Sequence, residues 1–232
     1  MSEFLAVAIL VPVAFVVATV FSVLWRERTS PHEARTALAS GIALTAWALS
    51  VSVLAYRGLF RPRSAASFPP IGINLAVVLV TLAATLAVSG SLRGLLARQS
   101  SLIRLHVWRV EGIVFLILML LGQMPPLWAI PAGMGDILVG TTALWVARDV
   151  DTVHGRRRAI LWNLLGMLDL IVAVALGVMT SPGPAQIFHT TPTSELVTYF
   201  PLALVPTFLV PLAFTLHVVS LWQLLGGTWA RR

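Results

Sequence analysis

Seven apolar segments, each roughly 20 residues long, set the limits of what this chain can fold into, because that is the length a helix needs to cross a bilayer's hydrocarbon core. They run from Phe4 to Trp25, Thr36 to Tyr56, Pro70 to Leu92, Leu105 to Gln123, Leu127 to Ala147, Ala159 to Thr180 and Tyr199 to Leu225. In lipid every backbone N–H and C=O must be satisfied within the segment, so each is expected as a helix. Only "MPP" parts the fourth from the fifth, and the two together are too long for one crossing. The expected fold is an all-α seven-helix membrane bundle forming one integral domain over residues 1–232. No polar stretch is long enough to fold apart from it. Charged residues make up 11% of the chain and mean hydropathy is +0.90, so the main solvent is lipid.

Orientation follows from arginine. The first segment begins "MSEF", without a positive leader, and ends at "RER", so it reads as an anchor rather than a cleaved signal. This puts the N-terminus outside and the C-terminus in the cytoplasm. Loops then assigned to the inside hold Arg26, Arg28, Arg35, Arg93, Arg98, Arg104, Arg148, Arg156, Arg157, Arg158, Arg231 and Arg232. Loops assigned to the outside hold only Arg57, Arg61 and Arg63. That imbalance is the positive-inside pattern of a cytoplasmic, or bacterial inner, membrane. Trp25, Trp128, Trp145, Trp222 and Tyr199 fall near the expected interfaces, as belt aromatics do. The net charge of +7 is this loop arginine and needs no nucleic-acid partner.

Some chemistries are excluded. There is no cysteine, hence no disulfide, thiolate nucleophile or Cys-held metal. Every basic residue is arginine, so no lysine Schiff base, and no covalent retinal, can form. Phosphate-loop, dinucleotide, His-Glu-x-x-His and Gly-x-Ser-x-Gly patterns are all missing.

What remains is a set of polar residues inside apolar segments, where ionisable groups are costly and mark function by default. "GMGDILVG" (Gly133–Gly140) is echoed by "GMLDLIVA" (Gly166–Ala173). In each, a small residue stands three before the aspartate and another four after it, on one helix face. Small faces let membrane helices approach closely. The two segments run in opposite directions and both aspartates lie near the midplane, so Asp136 and Asp169 are expected to meet. Two close carboxylates share a proton or bind a cation. Pro131 adds a broken helical hydrogen bond beside the first. The fourth segment opens with "RLHVWRVEG". There His106 and Arg109 share a face, Arg109 being close enough to the inner end to snorkel, and Glu111 points elsewhere toward a cation on another helix. His217 and Asn163 complete the candidate proton- or ligand-binding set of Asp136, Asp169, Glu111, Arg109, His106, His217 and Asn163. Pro201, Pro206 and Pro211 should kink the last segment above His217. All of this falls on the last four segments, and the first three read as packing.

Four functions compete on these residues. A carrier-like protein with a buried proton- or cation-binding pocket is the first; its partners are the lipid bilayer and a proton, small cation or amphipathic ligand, with a homo-oligomer possible. The second is an intramembrane enzyme using Asp136 and Asp169 as a carboxylate pair. "GMGD" resembles the Gly-x-Gly-Asp motif of intramembrane aspartyl proteases, and "PLAL" (Pro201–Leu204) loosely echoes the Pro-Ala-Leu of presenilins. The resemblance covers four residues, and the order of the two acids is reversed, so membership is not inferred. The third is a b-type haem protein with His106 and His217 as axial ligands; no cofactor is otherwise expected. The fourth is a membrane scaffold.

Overall fold

The computed structural model describes residues 2–62 and 70–226, and among these it is all helical. Arg63, Arg231 and Arg232 of the orientation argument lie outside the described residues. Helices α1 (Ser2–Glu27) and α2 (Pro31–Tyr56) form an antiparallel hairpin. Ser30 caps α2 by accepting from the Glu33 amide at 3.2 Å, with Pro31 in the first turn where its missing N–H costs nothing. Then follow α3 (Pro70–Val88), two single-turn helices α4 (Gly90–Leu95) and α5 (Gln99–Arg104), a 3-10 turn (Val107–Gly112) and α6 (Ile113–Leu120). Helices α7 (Pro126–Arg148) and α8 (Val153–Thr180) form a second hairpin, and a π turn (Val205–Leu209) leads into α9 (Val210–Leu224).

Among the described residues, six helices are long and apolar enough to cross a membrane: α1, α2, α3, α7, α8 and the π turn continued by α9. Their exposed faces are as greasy as their buried ones. On α7, Leu127, Ile130, Met134, Leu138 and Trp145 are all exposed, at the three- and four-residue steps of one helix face. A water-soluble helix would be polar there. On α3 only Leu86 is fully buried; one half-buried face rests on α9 and the π turn, and the remainder is exposed.

Two expectations are corrected. The segment Leu105–Gln123 is not one helix: the 3-10 turn and α6 replace it, and α5 ends just before it. All three pieces pack along α7. The tighter 3-10 winding eclipses residues three apart, so His106, Arg109 and Gly112 stack on one edge against the bundle centre. The last segment also starts later than its apolar run. Phe200–Ala203 form a turn, and Pro201, Pro206 and Pro211 each withdraw an amide donor from the run, although Val210, the residue before Pro211, stays in the helical region. The result is a π turn between Pro206 and Pro211 rather than a kinked α-helix.

Helix α7 is central. It uses two faces to hold its neighbours. Trp128, Gly135 and Thr142, seven apart, meet α8: the Trp128 indole donates to the Ala173 carbonyl at 2.9 Å, and Thr142 Oγ1 accepts from the Trp162 indole at 3.0 Å. Gly133 and Gly140 meet the 3-10 turn so closely that a β-carbon at Gly133 would stand 2.8 Å from the Gly112 carbonyl oxygen, and one at Gly140 would stand 2.6 Å from the Val110 amide. On α1 a stripe of Leu5, Ile9, Val13, Val16, Val20 and Leu24 closes the large apolar core from the far side.

Candidate functional site

The close approach of the 3-10 turn to α7 has one chemical result: it drives Arg109 into the centre of the bundle. Arg109 is fully buried, so it does not snorkel. Its guanidinium meets three elements at once. Nε donates to Asp136 Oδ1 on α7 at 2.6 Å, Nη2 donates to Asp169 Oδ2 on α8, and Nη1 donates to His217 Nε2 on α9 at 2.9 Å. The two aspartates of the internal repeat do converge, and they do so across an arginine. The repeat's small residues make this possible. Gly133 admits the 3-10 turn, and Gly166 leaves room for the His217 ring, whose nearest carbon and nitrogen would lie 2.5 Å from a β-carbon there. At Gly135 an added β-carbon would fall on the Asp169 carboxylate.

From His217 a hydrogen-bonded chain runs to the Arg-rich end of the bundle. An arginine can only donate, so His217 Nε2 accepts and Nδ1 carries the proton. Nδ1–H donates to Asn163 Oδ1 at 2.9 Å. Asn163 Nδ2 donates to the Ala159 carbonyl and to Ser220 Oγ at 3.0 Å. Ser220 Oγ donates to Gln99 Oε1 at 2.8 Å, Gln99 Nε2 to Gln223 Oε1 at 2.6 Å, and Gln223 Nε2 to the Leu96 carbonyl at 3.0 Å. Every group in this chain is satisfied, as buried polar groups must be.

His106 lies beside the chain. Its ring stacks on His217 with centroids 3.9 Å apart, and Trp162 closes edge-on at 5.2 Å from one ring and, tilted, 5.1 Å from the other. His106 Nδ1 faces the Leu102 carbonyl at 3.1 Å. Two imidazoles in ring contact leave no room for a porphyrin between them, and His217 has both nitrogens engaged, so these residues do not fit a haem. Among the described residues no group of three or more His, Asp or Glu is placed to hold a metal ion. Nor do Asp136 and Asp169 form the water-holding dyad of an aspartyl protease, since the group lying between them is the guanidinium.

Glu111 stands apart. It is 6% exposed and its Oε2 has no partner. The charges that act on it are Asp136 and Arg109. Among the described residues it forms no ion pair with a cation on another helix, where one was expected.

Of the seven candidate residues, Arg109, Asp136, Asp169, His217 and Asn163 are joined by direct bonds, His106 by ring stacking, and Glu111 by proximity alone. Sequence reasoning missed Gln99, Ser220, Gln223 and Trp162. The only signal for them was helical spacing: Ser220 stands three residues beyond His217 and Gln223 three beyond that.

The chain belongs to the family described as "Domain of unknown function (DUF8737)", which matches residues 68–225, more than two thirds of its length. That stretch holds every residue of the site and leaves out α1 and α2. No curated relative and no solved structure matches the chain.

Proposed function

We propose that this is a carrier-like membrane protein whose working site is the Arg109 clasp, a buried pocket that binds a proton or a small cation. One observation carries the reading: two carboxylates share a single guanidinium, with a third, Glu111, beside them. The pocket has more acid than base. Deep in a membrane such an excess is made good by a proton or by a cation from outside the chain.

The same reading takes the broken fourth segment as a seventh crossing. Gly112 abuts Gly133, and Val110 abuts Gly140, so the segment runs antiparallel along α7, and α5 and α6 continue it past both contacts. Seven crossings put the termini on opposite sides, and the arginine count then assigns the N-terminus to the outside and the C-terminus to the cytoplasm. Reporter fusions at His154 and at the C-terminus should report cytoplasm, and one at Gln186 the outside; a cytoplasmic signal from Gln186 overturns the map.

The pocket is tested by melting the purified protein across pH and sodium concentration, in wild type, Asp136→Asn, Asp169→Asn and the double variant. Ligand binding raises stability by mass action, so wild type should show a pH- or cation-linked rise in melting temperature that each single variant loses. The double should be little worse than either single, because members of one site are not additive. Additive losses of stability with no linkage in wild type would reduce the clasp to a structural tie.

A further inference from the structure

The pocket is closed toward both ends of the bundle. Toward the Arg-rich end it meets the stacked His106, His217 and Trp162 rings and the satisfied amide chain. Toward the opposite end the Trp128 indole bridges α7 to the Ala173 carbonyl, one turn beyond Asp169, and packs on the Phe115 ring with centroids 4.9 Å apart. Sideways it is open. Arg109 is fully buried, whereas the Asp136 and Asp169 side chains keep 13% and 12% of their surface accessible. Each spends one oxygen on Arg109; Asp136 Oδ2 and Asp169 Oδ1 have no other hydrogen bond among the described residues. The guanidinium therefore faces inward and a carboxylate edge faces out of the bundle. Asp169 reaches this surface at Gly135, whose missing side chain leaves the space that its carboxylate fills. One helical turn from these two residues stand Leu138 of α7 and Leu165 of α8, both more than half exposed. The rim is apolar and belongs to the lipid-facing surface.

We propose that the site takes a long-chain organic ammonium ion directly from the bilayer, through a lateral entrance between α7 and α8 at Gly135. The inference rests on the cation-pocket reading above and names its ligand. A primary ammonium has three N–H donors. Asp136 Oδ2 and Asp169 Oδ1 have no partner among the described residues, and Glu111, on which the Asp136 charge acts, adds a buried, unpaired Oε2 nearby. The hydrocarbon tail stays in lipid along Leu138 and Leu165, so entry needs no aqueous vestibule. A small hydrophilic amine has no such path.

The experiment uses the full chain in neutral detergent micelles, with dodecylamine, dodecanol and methylammonium as probes in calorimetric titration. Dodecylamine should bind saturably, and Asp169→Asn should weaken it about tenfold or more, the usual loss for one hydrogen bond to a charged group. Dodecanol and methylammonium at the same concentration should bind at least about tenfold more weakly than dodecylamine. A second variant, Leu138→Trp with Leu165→Trp, narrows the rim at two lipid-facing positions that touch none of the clasp. It should weaken dodecylamine while leaving the pH- or sodium-linked melting of wild type unchanged. Equal binding of dodecanol, or full access for methylammonium, overturns the lateral entrance. So does dodecylamine binding that survives both Asp169→Asn and the rim variant. If dodecylamine does not bind but the linked melting still depends on Asp136 and Asp169, the entrance fails and the pocket stands; if the linkage is absent too, both fail.

Discussion

Replacing Gly135 by alanine adds one methyl group and should dismantle half of the clasp. The new β-carbon falls on the Asp169 carboxylate, which is held from behind by Arg109 and cannot retreat inward. Either the carboxylate leaves the guanidinium or α7 and α8 separate. Losing a hydrogen bond to a charged group costs about 1.5–3 kcal/mol. Overpacking a close helix contact costs about 1–3 kcal/mol if the helices move instead. Against this, alanine in place of a mid-helix glycine gains about 1 kcal/mol of helix propensity. The net expectation is a loss of about 0.5–2 kcal/mol if the carboxylate yields, and of up to about 2 kcal/mol if the helices do. The internal control is Gly72→Ala on α3, where the added carbon meets nothing within 4 Å. That variant receives the propensity gain alone and should be neutral or slightly stabilised. Reversible unfolding in mixed micelles compares wild type, Gly135→Ala, Gly72→Ala, Asp169→Asn and the pair Gly135→Ala with Asp169→Asn. In the pair the methyl should cost less than it does alone, because the bond it breaks is already weakened. If Gly135→Ala proves as harmless as Gly72→Ala, the carboxylate does not sit against Gly135, and the small residues of the repeat are not what seats the clasp.

Other outcomes follow from the same geometry. Arg109→Lys keeps the charge but loses the planar fork that serves Asp136, Asp169 and His217 together, and should destabilise by about 3–4 kcal/mol in the same unfolding assay, the lower part of the range for a broken buried ion pair. Nitrogen NMR of labelled histidine should find His217 in the Nδ1–H tautomer; an Nε2–H signal would contradict the Arg109 contact. Gly140→Ala presses on the Val110 amide, with backbone rather than a flexible side chain in the way. It should unseat the 3-10 turn and, read by unfolding midpoint, be at least as damaging as Gly135→Ala. Ser220→Ala removes a middle link of the amide chain and leaves Asn163 Nδ2 and Gln99 Oε1 each one partner short, a loss of about 1–3 kcal/mol.

The membrane character, and which polar residues lie inside apolar segments, were legible in the sequence because both rest on short-range rules. Apolar length reports spanning helices one by one, and an ionisable residue inside such a run stands out against its neighbours. Two further features were hidden. The 3-10 turn depends on a contact twenty to thirty residues away: Gly112 and Val110 are drawn in by Gly133 and Gly140, and nothing in "VWRVEG" itself announces the change of winding. Gln99, Ser220 and Gln223 are ordinary polar residues near helix ends, where solvent or loops usually satisfy them, and only the folded register shows that they join one chain. The aspartates were expected to face each other because spacing gave their depth; spacing could not show that a third side chain would reach between them.

The amide chain behind His217 has a head and a tail that cannot be exchanged. At the head, a guanidinium has hydrogens to give and no lone pair to receive. At the tail, the Leu96 carbonyl can only receive. Between these one-way groups, the imidazole, the two glutamines, the asparagine and the serine could each be turned around in isolation, yet none can turn while both ends stay in place. Their dipoles are therefore aligned, with the electron-rich end against the arginine, as in a stretch of helix whose C-terminus points at a cation. The arrangement stabilises positive charge at one fixed spot without placing a full negative charge there. An arginine supported in this way can lose one of its carboxylates to an incoming ligand and still be held.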